Sequence, residues 1–245
     1  MKKVLIALLV IISITTTAQE SVLLRLNYTK GDSFLVTTES NQNMGSQGGM
    51  NMKMTMGMIV DDVVEENIKT ESQITSIVMD MMQGGMTMSY DSNKNDEELD
   101  QMGQMLKSQF APMMEAVIYN TLDYQGNVID TKLDPAIPGM EQMTNRSMNA
   151  INFPKEKVSV GTSWTSENEN QGMKMTMNYT VSSISDGFVT LDVSGNMSGA
   201  GTGSIKGKTT IDISSGISNN SEIEITIAAQ GMNITGSTKI TISKI

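Results

Sequence analysis

The chain has no cysteine and no histidine. The first absence excludes disulfides and thiolate chemistry. The two together exclude Ser–His and Cys–His nucleophile pairs, and zinc centres built on imidazole or sulfur. A lipoprotein-type leader, which needs a cysteine to acylate, is excluded as well. Aromatic residues make up only 4% of the chain, Trp164 is the single tryptophan, and proline occurs 4 times. Methionine takes their place with 24 residues, more than Phe, Tyr and Trp together. Its unbranched thioether adapts to irregular gaps, so a core built on it is filled but loosely specified.

Apolar runs are also scarce. The one long run, Val4 to Ile14, follows Lys2 and Lys3 and precedes Thr16-Thr17-Ala18. That order of charge, apolar stretch and small residues reads as a cleaved secretory signal over residues 1–18, too short to span a membrane. The mature protein then begins at Gln19, is periplasmic or secreted, and carries no transmembrane segment. Removing two lysines from 17 Lys+Arg leaves 15 against 27 Asp+Glu, a net charge of −12. This balance disfavours nucleic acid and anionic lipid as electrostatic partners. Oligomeric state is not legible.

The pentapeptide Met-Lys-Met-Thr-Met occurs at 52–56 and again at 173–177. Upstream of each copy lies a Gly-x-Ser-aromatic tetrad, Gly31-Asp32-Ser33-Phe34 and Gly161-Thr162-Ser163-Trp164. The same two motifs in the same order indicate an internal duplication. Around them the pattern alternates with period two, as half-buried strands do. Strands are expected at 22–26, 33–42, 50–64, 68–82 and 86–90, and throughout the second half. There, Asp186-Gly187, Ser215-Gly216 and Gln230-Gly231 mark hairpins.

The middle is different. Asn95, with Glu98 three residues on, is a capping-box signal. Leu99, Met102, Met105, Leu106 and Phe110 form a helical stripe, which Pro112 ends. A hairpin around Gln125-Gly126 follows, and a second helix from Pro138 carries Met140, Met143 and Ile151. The fold expected is mainly β: two related antiparallel halves, open or half-barrel-like, with a helix–hairpin–helix insert between them. The divisions are 1–18 signal, 19–94 first β half, 95–153 insert and 154–245 second β half.

The string Phe153-Pro154…Val158-Ser159-Val160-Gly161-Thr162-Ser163-Trp164, together with Lys30-Gly31-Asp32-Ser33-Phe34 and the Met-rich run at 50–56, resembles a secreted family of Bacteroidota, domain-of-unknown-function family 6263. The resemblance implies export and β architecture over most of the mature chain. It implies no activity and transfers no functional residue.

Catalysis has little to stand on. Asp61-Asp62 and Glu65-Glu66 are adjacent carboxylates, and neighbours in a strand point to opposite faces. Asp91-Ser92-Asn93-Lys94-Asn95 opens like a calcium loop, but the glycine position is Asp96 and the closing glutamate position is Met102. No enzyme, cofactor or metal site is therefore expected, and the methionine rows carry the functional question. Met52, Met54 and Met56 share one strand face, as do Met173, Met175 and Met177. Three readings stay open: a packed core, a deformable surface for an apolar small molecule or lipid, or thioether binding of Cu(I). The preferred expectation is a non-catalytic envelope protein. Its ligand-binding face comprises those six methionines, and Leu99, Met102, Leu106 and Phe110 of the insert cover it. Periplasmic Cu(I) binding is the alternative, and a purely structural envelope role the second alternative.

Overall fold

Period-two alternation makes strands, and all twelve strands of the described residues join one sheet. The computed structural model describes residues 20–137, 151–170, 173–199, 201–229 and 232–245. In chain order the elements are β1 (Ser33–Asn43), β2 (Gly48–Val64), β3 (Asn67–Gln83), β4 (Met86–Asp91), α1 (Gln101–Glu115), β5 (Val117–Asp123), β6 (Val128–Asp134), β7 (Ser163–Asn170), β8 (Met173–Ser185), β9 (Phe188–Gly199), β10 (Thr202–Asp212), β11 (Ser218–Ala229) and β12 (Met232–Lys244). All pairings between these strands are antiparallel.

The sheet runs β6-β5-β3-β2-β1-β12-β11-β10-β9-β8-β7, with β4 also paired to β3. β6 and β7 are its edges, and it does not close into a barrel among the described residues. The last strand, β12, pairs with the first, β1, from Phe34↔Lys244 to Asn43↔Thr235. That pairing joins the meander β7–β12 to β1–β3. The hairpin around Gln125-Gly126 adds to this sheet through β3–β5 pairing. The expected second helix falls largely on residues 138–150, outside the described residues; Ile151 and Phe153 are irregular and buried.

The two Gly-x-Ser-aromatic tetrads adopt one local geometry. Gly31 has φ 89° and Gly161 φ 88°, a region only glycine enters cheaply. The Gly31 N–H donates to Val60 O and the Gly161 N–H to Val181 O, both at 2.8 Å. Asp32 O then accepts from Val60 N at 2.8 Å, and Thr162 O from Val181 N at 2.9 Å. Phe34 lies opposite Met58, and Trp164 opposite Tyr179. A bulge follows at Val60/Asp62 and at Val181/Ser183. The next turn has Glu65 at φ 55° and Asp186 at φ 53°.

The core sits against the inner face at one end, here the lower end, where the β2–β3, β8–β9 and β10–β11 turns lie. Leu24, Val189, Leu191 and Ile211 are 0% exposed there. Leu24 belongs to a segment expected to be a strand, but the segment makes no ladder. Val22 bridges Val158, Leu26 N–H donates to Tyr124 O and Asn27 N–H to Ser215 O. Each backbone donor finds a different element, so the segment crosses the sheet end as an extended strap. Gly216, at φ 72°, gives it room: a Cβ there would lie 2.0 Å from Arg25 O.

The helix signal is displaced rather than wrong. Asn95 and Glu98 cap a short 3-10 turn, with Asn95 N–H donating to Glu98 Oε2 at 3.0 Å. α1 proper is capped by Asp100, whose Oδ1 accepts from Gly103 N–H at 2.7 Å. The helix runs through Pro112 to Glu115, contrary to the expected stop. A proline gives up one backbone bond, and close to a helix end the loss is small against the packing of Met113 and Met114.

Candidate functional site

Directly opposed residues in a sheet share a face. From Met56, the pairing passes through Val36, Ile242 and so on across β12, β11, β10 and β9. It links Thr238 to Ile223, Gly207, Val193 and Tyr179. Both methionine rows therefore lie on one continuous inner face, six strands apart. Lys53 and Lys174, between them, point outward and are exposed.

The two rows meet different surroundings. Met56 is buried against Val36 and Ile240. Met52 and Met54, with Met50 and Met88, are half-buried and pack on a cluster of Ile74, Ile77, Met79, Tyr90, Leu99 and Leu106. α1 thus lies over the inner face of β2–β4. Leu99 and Leu106 are buried beneath it, and Phe110 stacks on Tyr90 with ring centroids 5.4 Å apart. Burial under the helix pushes the Tyr90 phenol pKa up. Met102 is half-buried outside this cluster, and Met105, expected on the same stripe, is 46% exposed. In the second row Met177 packs on the lower core, while Met173 and Met175 are half-buried and join no buried cluster among the described residues.

On the upper inner face of β8–β12, the sequence pointed to Met173 and Met175 and not to their neighbours. Met173, Met175, Met197, Ile225, Ile227 and Ile234 all face inward there, each half-buried and outside every buried cluster. Gly195, Gly203, Gly207 and Gly236 share this face, and neighbouring groups pack over them: a Cβ would lie 2.7 Å from Met177 Sδ at Gly195 and 2.6 Å from Ile223 Cδ1 at Gly207. The alternating isoleucines of β11 and β12 carried the signal, but alternation alone does not say which inward residues join a buried cluster. Trp164, on the same face, stacks on Tyr179 at 5.5 Å, and its buried indole N–H meets no acceptor among the described residues.

The outer face is polar and ordered by register. Asp192, Lys208, Glu222, Lys239, Glu39 and Lys53 stand directly opposite one another across β9, β10, β11, β12, β1 and β2, with signs alternating. Ion pairs of 3.5 Å, 3.4 Å and 3.0 Å join Lys208–Asp192, Lys239–Glu222 and Lys53–Glu39. A depression of 390 Å³ lies over this ladder, lined by Glu39, Asn51, Lys53, Asp80 and Lys239 among others. It is on the opposite face from α1, so it is not the apolar space expected between helix and sheet. The calcium-like opening is a turn: Asp91 Oδ1 accepts from the Asn93 backbone and side chain, both at 2.9 Å. No cluster of three acidic residues able to hold a metal ion occurs among the described residues. No helix among them is long and apolar enough to cross a membrane.

With the geometry in place, the chain can be set beside known proteins. Residues 139–244 match the model of DUF6263, a family of unknown function. The match takes in β7–β12 and less than half the chain. It contains the Phe153–Trp164 string, whereas the Lys30–Phe34 motif and the first methionine row lie outside it. No curated protein matches the chain.

Proposed function

We propose that this is an exported, non-catalytic binding protein that takes an apolar ligand of the acyl-chain type on its inner face. The observation carrying this reading is the wall of Met173, Met175, Met197, Ile225, Ile227 and Ile234, half-buried and joined to no buried cluster among the described residues. A fully packed sheet would bury those side chains. Half-buried methionines and isoleucines on an apolar face make a surface that repacks around a flexible chain. The paired motifs support two related halves, β1–β3 and β7–β9, with α1 resting on the first.

Native mass spectrometry of the protein purified from its own host tests this. A retained lipid-sized adduct is expected. An empty protein that also fails to take up a fluorescent fatty acid refutes it and leaves a structural envelope role. Ile225→Glu and Ile227→Glu place charge on this wall and should abolish uptake while the lower core stays folded.

One observation favours the Cu(I) alternative. Met50, Met81 and Met88 stand directly opposite one another on β2, β3 and β4, so three thioethers share one row. Soft sulfur ligands select Cu(I). An anaerobic titration should then show binding that Met→Leu at these three positions removes, since leucine keeps the bulk and loses the sulfur. No binding by the unaltered protein at micromolar metal eliminates this reading.

A further inference from the structure

Charge is distributed unequally between the two ends of the sheet. The connections β1–β2, β3–β4, β9–β10 and β11–β12 all lie at the upper end. In the sequence, residues 40–52, 81–90, 193–205 and 225–238, which run between the paired strands, contain no Asp, Glu, Lys or Arg. At the lower end the hairpin turns carry charge, with Asp61, Asp62, Glu65 and Glu66 near β2–β3, Asp186 at β8–β9 and Asp212 at β10–β11, while the Ser159–Thr162 turn carries none. In a chain with 27 acidic residues, four uncharged hairpin segments on one end form a coherent surface. The alternating charge ladder of the outer face lies just below it. The edge hairpin β7–β8 is the exception, with Lys174 Nζ 2.9 Å from Glu167.

The uncharged end also presents large apolar groups. Met82 is 55% exposed and Met86 67% exposed, both on the β3–β4 hairpin. Exposed apolar residues occur at the lower end too, such as Ile59 at 52% and Val64 at 46%, but there they are interleaved with carboxylates. A segment that enters the interface of a bilayer must bring apolar groups and few charges. The upper end meets that condition and the lower end does not.

We infer that the upper end docks on a lipid bilayer of neutral surface charge, with Met82 and Met86 inserted at the headgroup boundary and the charge ladder left in water. The net charge of −12 expected after export argues against an anionic surface. Among the described residues, no basic cluster adjoins the uncharged segments to recruit one. The attachment is therefore insensitive to salt, because nothing in it is an ion pair for salt to screen. Docking this way would also open the upper inner wall toward the membrane. The inference stands on the charge distribution and goes beyond the ligand proposal, so either can fail alone.

Flotation of the exported, purified protein with phosphatidylcholine vesicles tests it. The protein should float with these vesicles, equally at low and at high salt. The double variant Met82→Glu/Met86→Glu should lose partitioning by roughly tenfold or more, while Ile59→Glu at the other end floats as before. All three positions are exposed, and circular dichroism verifies that the variants are folded. Failure to float with neutral vesicles overturns the inference, as does flotation that requires anionic lipid. It is also overturned if the double variant floats undiminished, or if Ile59→Glu weakens it equally. If instead the unaltered protein self-associates without floating, and the double variant is monomeric, the end is an interface between copies of this chain and the membrane inference is wrong.

Discussion

Leu24 anchors the segment that crosses the lower end, and replacing it offers a direct test of how that end is held. Its side chain is 0% exposed and packs with Phe153, Val158, Val181, Leu191 and Ile211. Leu23, one residue earlier, is 45% exposed. The surrounding backbone is fixed from several directions. Arg25 donates through Nη1 to Pro154 O and through Nη2 to Lys155 O, each at 2.7 Å. The site therefore cannot collapse easily around a shortened side chain. Leu24→Ala should cost about 3 kcal/mol, the transfer term of the lost atoms plus the cavity they leave. For a chain of this size that corresponds to a fall in Tm of about 6–12 °C. Leu23→Ala should cost about 0.5 kcal/mol or less. Urea unfolding followed by circular dichroism, with unchanged slopes, measures both. If the two variants differ by less than about 1 kcal/mol, the strap does not hold the lower core and the account of the fold is wrong at that point.

Asp32 carries a pH-dependent contribution. Its carboxylate accepts from Lys244 Nζ at 2.6 Å and from Thr29 N–H at 3.0 Å, which holds its pKa below the ordinary value. A pKa depressed by folding adds stability that is present above the unfolded value and lost as pH falls through the folded one. The lead of the unaltered protein over Asp32→Asn should thus be full at neutral pH and vanish in acid; a constant lead refutes the ion pair as its source. Tyr28, half-buried and close to Asp32, has its phenol pKa pushed up to about 12, and burial also raises Tyr90 and Tyr179; spectrophotometric titration should show a late-ionising phenol that Tyr28→Phe removes. Glu65 sits at φ 55° without being glycine; Glu65→Gly should stabilise by about 0.5 kcal/mol, and a loss of similar size counts against strain there. N-terminal sequencing of the exported protein should read Gln19 first, and retention of Met1 overturns the export proposal.

The lining of the site was half legible. The rows 52–56 and 173–177 were identifiable as inward faces because their alternation with Lys53 and Lys174 is local. The partners of those rows were not, since Met81, Met88 and Met197 come to them only through strand register. Ile225, Ile227 and Ile234 read as ordinary inward residues of an alternating run. Nothing in that run records that α1 stops over β2–β4 and does not reach them.

By itself the sequence determined what is set within a few residues. Period-two alternation made strands of residues 33–43 and 48–64. Glycine at 31 and 161 made the same turn twice, because only a residue without Cβ takes φ near 89° cheaply. Asp100 and Asn95 supplied caps where backbone N–H groups lacked partners. Tertiary structure decided everything that depends on which strand neighbours which. It paired β12 with β1, and so made two sets of strands into one open sheet. It aligned six charges from six strands into a ladder, turned Val22–Leu26 from a strand into a strap, and collected four uncharged hairpins at one end. Alternation fixes which side chains share a face, but hydrogen-bond register between segments distant in sequence fixes what that face meets.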